Sequence, residues 1–233
     1  MTFGSAEWLA LGEIIWINAL LSGDNAVVIA MACRSLPGPQ RKFGMIAGAG
    51  VAIGLRLLFT AIIVRLLGVP YLKIFGALAL LYIAVDLIGP QGAEDEQGVK
   101  GHDSLWRAVM TIAIADVVMS LDNVIAIAGV AGDHFGLLVL GLVISVPMII
   151  AGSAVILAIM DKFPVIVWAG AALLGYVAGE MIVSDKALED RFGGVYVHSW
   201  ETTAAVTLAV VVVLVGWLMR RVKGRNKIER PSG

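Results

Sequence analysis

The sequence predicts an all-α, polytopic membrane protein: seven transmembrane helices built as two inverted three-helix repeats plus a C-terminal helix. Three observations carry that expectation. The 233 residues are 59% hydrophobic and only 15% charged, with a mean hydropathy of +0.91, well outside the soluble range. Seven apolar stretches, about 8–32, 44–67, 70–88, 105–130, 136–160, 164–183 and 202–219, are near the ~20 residues that a helix needs to cross a ~30 Å hydrocarbon core. The chain also repeats itself. Residues 18–32 read NALLSGDNAVVIAMA, and ninety-eight residues later 116–130 read DVVMSLDNVIAIAGV, so Ser22, Asp24 and Asn25 fall on Ser120, Asp122 and Asn123.

Taken in order, the first stretch lacks a basic n-region and carries Glu7, Glu13 and Asp24, so it is expected to span the membrane and not to be cleaved as a signal. The connection 34–42 holds Pro37, Gly38 and Pro39, which interrupt a helix. The second helix spaces Gly44, Gly48, Gly50 and Gly54 for close helix packing, and the fifth contains Pro147, which predicts a kink. The third run, PYLKIFGALALLYIAVD, and the sixth, PVIVWAGAALLGYVAGE, match Pro70 with Pro164, Gly76 with Gly170, Tyr82 with Tyr176 and Asp86 with Glu180, all offset by ninety-four. Within a single membrane domain, 1–233, residues 8–88 and 105–183 therefore read as repeats of three helices separated by an acidic cytoplasmic loop, 89–104. An odd number of spans inverts the second repeat relative to the first, an arrangement that puts substrate sites near the midplane.

The seventh helix, 202–219, has no ionisable residue inside it and reads as scaffold; a basic tail, 220–233, follows. With the N-terminus outside and the C-terminus cytoplasmic, 12 of the 17 Lys and Arg face the cytoplasm, 4 face outward and Arg56 lies within a helix. The tail reads as an orientation anchor and not as a nucleic-acid site; the lipid bilayer is the surface it meets.

The polar residues inside the apolar stretches carry the functional expectation. A carboxylate at mid-membrane costs at least ~2.5 kcal/mol on insertion scales, so two at matched positions point to an ion pathway. On a helix, Asn18, Ser22 and Asn25 share one stripe, Asp116, Ser120 and Asn123 repeat it, and Asp24 and Asp122 stand about 100° round from it. Glu13 shares the face of Asp24 about three turns away. Asp24 and Asp122 could instead pair with Arg56 to hold helices together, and Asn25 and Asn123 could be interhelical hydrogen-bond glue. Asp86 and Glu180 could form the inner and outer ends of a path, or simply reach the headgroups. Arg56 is most simply a counter-charge.

The set is rich in oxygen and poor in nitrogen, which suits hard or borderline dications such as Mg²⁺, Ca²⁺ and Mn²⁺; Zn²⁺ or Cu⁺ would bring His or Cys. His102, His134 and His198 fall in predicted loops, and the single cysteine, Cys33, reads as a small apolar residue at a helix end. Met31 and Met119, beside the motifs, are the two methionines that could add a soft ligand. Without a phosphate-cradling glycine loop or a nucleophile with its base at recognisable spacing, no enzyme and no prosthetic group are expected.

The segments SGDNAVVIA, CRSLP, TIAIADVVMSLDNVIAIAGVAG and GAALLGYVAGEMIVSD resemble the TerC family of bacterial integral membrane proteins, in particular its short YjbE-like branch. The resemblance spans nearly the whole chain apart from the acidic loop and the basic tail, and the ordered SGDN and SLDN pair is its specific part. It implies membership of the LysE-type transporter superfamily, an inner-membrane location and an association with manganese(II) efflux. It also implies Asp24, Asn25, Asp122 and Asn123 as the ion-binding positions, with Glu180 in support. Two rival readings remain: a membrane partner protein that assists metal loading or assembly of exported proteins, and an amino-acid exporter of the same superfamily.

Overall fold

The computed structural model describes residues 23–66, 69–89, 101–131 and 135–228, together with Gly12 and Trp16; within those stretches the side chains of 59–66, 101–103, 121–131, 135, 137–138, 195–196, 198 and 223–228 are not described. The described residues form eight helices and no strand: α1 (Gly23–Cys33), α2 (Gly38–Leu66), α3 (Leu72–Ile88), α4 (Gly101–Ala131), α5 (Phe135–Lys162), α6 (Val165–Val183), α7 (Lys186–Phe192) and α8 (Gly194–Ile228). Lipid dictates this menu, because a backbone without water must satisfy its own N–H and C=O groups.

Several helices outrun the apolar stretches that predicted them. The first four residues of α4 and the first eight of α8 precede the expected spans, so His102 and His198, expected in loops, lie on helical backbone. Hydropathy marks only what sits in hydrocarbon, whereas the hydrogen-bond ladder runs on into polar flanks. The 34–42 connection is shorter than expected for the complementary reason. Pro39 falls in the first turn of α2, where its missing N–H removes no intrahelical bond. Pro147 is carried inside α5. Among the described residues Val139–Lys162, Val165–Val183 and Ser199–Val222 are long and apolar enough to cross a membrane.

The chain gathers into two compact units, one of α1, α2, α4 and α5, the other of α3, α6, α7 and α8. Each unit thus takes corresponding helices from both halves of the sequence. In the first, α1 lies against α2 and α5, and α2 against α5. Gly44 and Gly48 of α2 admit α4: a Cβ at Gly44 would stand 3.3 Å from Leu105 Cδ1, and one at Gly48 would collide with Ile112. Gly50 and Gly54 face open space, so only half of the expected packing stripe is used; Gly50 lies about 200° round the helix from Gly48. Arg41 closes one end of this unit. It donates to the carbonyls of Leu36 and Arg34, each at 2.9 Å, and pairs with Asp161 at the end of α5 at 2.7 Å.

In the second unit α6 packs against α3 and α8. A Cβ on Gly175 would meet Leu208 O at 2.8 Å, and one on Gly179 would run into the backbone of Ala205, so glycine is what lets α6 and α8 touch main chain to main chain. Asp185, fully buried, caps α7 by accepting the Ala187 N–H at 2.8 Å and also accepts from Tyr71, Lys73 and Ile74 at the start of α3, at 2.9, 3.0 and 3.3 Å. At the far end of α3, Arg220 donates to the Ile88 carbonyl at 2.8 Å and lies over the Trp168 ring. Large apolar side chains such as Phe75, Tyr82, Trp106, Val155 and Leu214 point outward, as expected where the solvent is lipid.

Candidate functional site

The first unit encloses a group of buried polar side chains at the level of the repeated motif. Asp24 and Asn25 lie at the beginning of the described part of α1, where Asp24 Oδ1 accepts the Asn25 N–H at 2.7 Å. The Asn25 side chain is only 5% exposed, and neither its Oδ1 nor its Nδ2 has a hydrogen-bond partner among the described residues. Such orphans are rare, because leaving a buried polar group unmatched costs about 1–3 kcal/mol. The neighbouring surface of α1 is sealed by packing, with Ala26, Val28, Ile29 and Ala30 all buried and α5 approaching closely at Gly152.

Across from α1, α2 contributes Arg56, 2% exposed. Its Nη2 donates to Asp116 Oδ1 of α4 at 2.6 Å and its Nε to Ser120 Oγ at 3.1 Å; the Ser120 hydroxyl donates to Asp116 Oδ2 at 3.2 Å. The i, i+4 spacing of Asp116 and Ser120 puts both on the face of α4 that meets α2, so one guanidinium engages both residues. Asp24 and Asn25 belong to the same unit as this pair.

Of the residues expected to form the site, the structure joins Arg56, Asp116 and Ser120 in one hydrogen-bonded group and holds Asp24 and Asn25 in the same unit. The sequence offered Asp24 and Asp122 as partners for Arg56; the structure pairs it with Asp116. Glu13, Asn18 and Ser22 lie outside the described residues, as do the side chains of Asp122 and Asn123, whose backbone is helical in α4. Met31 and Met119 are buried, and Cys33 is a buried free thiol. Asp86 on α3 and Glu180 on α6 belong to the second unit, where both are half-buried and engaged with neighbours. Among the described residues no three His, Cys, Asp or Glu converge as a metal cluster. Asp185 is the buried acid the sequence reading passed over; an aspartate directly before KALEDRF is an N-cap signal, but nothing local marks its second role on α3.

Helices with apolar outer faces around a buried ionic centre define an integral membrane protein with a polar interior site. The chain belongs to the Integral membrane protein TerC family, which matches residues 3–226. It is similar to the uncharacterized membrane protein YjbE of Bacillus subtilis (strain 168), with 46% identity over 180 residues that cover 77% of this chain and 82% of the relative. It is also similar to YceF of the same organism, 27% identical over 184 residues covering 75% and 71%, and to the UPF0053 inner membrane protein YgdQ of Escherichia coli (strain K12), 25% identical over 220 residues covering 88% and 92%. No solved structure matches the chain.

Proposed function

We propose that the protein is a divalent metal cation carrier of the bacterial inner membrane, exporting manganese(II) from the cytoplasm by alternating access. The ion is held between the first and fourth spans by Asp24, Asp122, Asn25 and Asn123, with Ser22, Ser120 and Asn18 lining the approach. The single observation that carries this reading is Asn25: a buried amide with both polar atoms unmatched, beside a carboxylate, in a protein whose solvent is lipid. A carbonyl oxygen and a carboxylate oxygen are the ligands a hard dication takes, and an arriving ion satisfies the amide oxygen that the protein leaves bare. Two aspartates from the doubled motif cancel the charge of one dication. As a carrier the protein needs no prosthetic group and performs no catalytic step. In this reading it has seven spans in two inverted repeats, with the N-terminus outside and the C-terminus in the cytoplasm, an orientation that the placement of the basic residues supports.

Reconstitution tests it. Liposomes containing the purified protein and a manganese-responsive dye should show Mn²⁺ movement that Asp24→Ala and Asp122→Ala each abolish, while both variants still insert. Silence from the wild-type protein would favour a partner in metal loading of exported proteins. Competition by basic amino acids in place of metals would favour an amino-acid exporter and the LysE-type relationship.

A further inference from the structure

The Arg56–Asp116 pair breaks the repeat. The doubled motif matches Asp24 with Asp122 and Asn25 with Asn123, but Asp116 falls on a neutral residue, Asn18. Arg56 has no counterpart either: α5, the matching second helix of the other repeat, carries no Lys, Arg, Asp or Glu from 135 to 160. The base thus occurs only in the first repeat and the acid only in the second, and neither has a charged counterpart in the other. The residues that come in two copies are those with the chemistry to hold a cation; the two that come once hold each other, at 2.6 Å, with Ser120 bridging them.

Resting on the transport reading above, we propose that Arg56 is a built-in counter-cation that lets the empty carrier reorient without an exchanged ion, and that Asp116 is its anchor and not a ligand of the cargo. A carrier that exports net must return empty, and the cost of moving a site through low dielectric rises with the square of its net charge. Asp24, Asp116, Asp122 and Arg56 sum formally to −2 when empty and to 0 with a dication bound. Without Arg56 the sums become −3 and −1, so its removal penalises the empty crossing far more than the loaded one. Arg56 suits this part. Its side chain is long, and it is held on Asp116 by side-chain hydrogen bonds that can shift without unwinding a helix.

The test compares two fluxes of radiolabelled Mn²⁺ through the full-length protein in liposomes: net efflux into metal-free buffer, and one-for-one exchange with saturating Mn²⁺ on both sides. Net efflux needs the empty return and exchange does not. In Arg56→Gln net efflux should fall about tenfold or more while exchange stays within about threefold of wild type. The apparent KM for Mn²⁺ should fall as well, since the site has become more negative. Arg56→Lys, which keeps the charge, should retain the wild-type ratio of the two fluxes. Arg56→Gln combined with Asp116→Asn leaves no charge of the pair and should recover net efflux; it also carries the test if the single variant does not insert. Loss of both fluxes in equal measure from Arg56→Gln, or of neither, overturns the proposal, as does loss of exchange from the double variant, which would make Asp116 a ligand. A wild-type protein silent in both modes instead sinks the transport reading itself.

Discussion

Asp116 and Asp185 are both buried acids, 5% and 0% exposed, yet their oxygens are matched by different partners. Asp185 accepts four backbone N–H groups, three from the start of α3 and one from α7, donors that cannot move without unwinding a helix. Asp116 is balanced by one long side chain and a hydroxyl. The first arrangement belongs to a unit joined by main-chain contact, the second to a unit joined at this point through side chains. A buried acid is therefore no sign of function by itself; what neutralises it, and whether that partner can move, separates scaffold from machinery.

The contrast can be broken in three places. The largest effect is expected at Asp185. Asp185→Leu strands four donors, and at about 1–3 kcal/mol for each buried orphan the loss should be at least ~3 kcal/mol, seen as a steep drop in thermal stability in detergent. Asp185→Asn, which keeps one acceptor oxygen, should recover part of it. Next comes the pair. Arg56→Met alone should cost ~3–5 kcal/mol because it leaves a buried charge, whereas Arg56→Met with Asp116→Leu should return close to wild-type stability. A double-mutant cycle that shows no coupling would mean that Asp116 is neutralised by something else. The smallest effect sharpens the difference in packing. Gly179→Ala forces a methyl into the Ala205 backbone and should cost ~1–3 kcal/mol, while Gly50→Ala, into open space, should be neutral or stabilise by up to ~1 kcal/mol. Equal effects in the two variants would deny that α6 and α8 meet through glycine.

The helices could be read from the chain alone, for a physical reason: lipid admits so few backbone solutions that apolar runs announce helices. What could not be read depends on which elements meet. The bond of Arg56 to Asp116, sixty residues on, depends on the packing of α2 on α4. Asp185 reads locally as a cap, and its hold on Tyr71, 114 residues earlier, is tertiary. Gly44 and Gly50 look alike in sequence and differ only in what stands opposite. The bare amide of Asn25 is an absence of hydrogen-bond partners among the described residues, which no spacing encodes.

The main-chain contact of α6 with α8 has a mechanical consequence. With Gly175 and Gly179 set against Leu208 and Ala205, no acyl chain can wedge between the two helices, and neither can lean without the other. In a thicker or thinner bilayer they must answer hydrophobic mismatch by tilting as one strut.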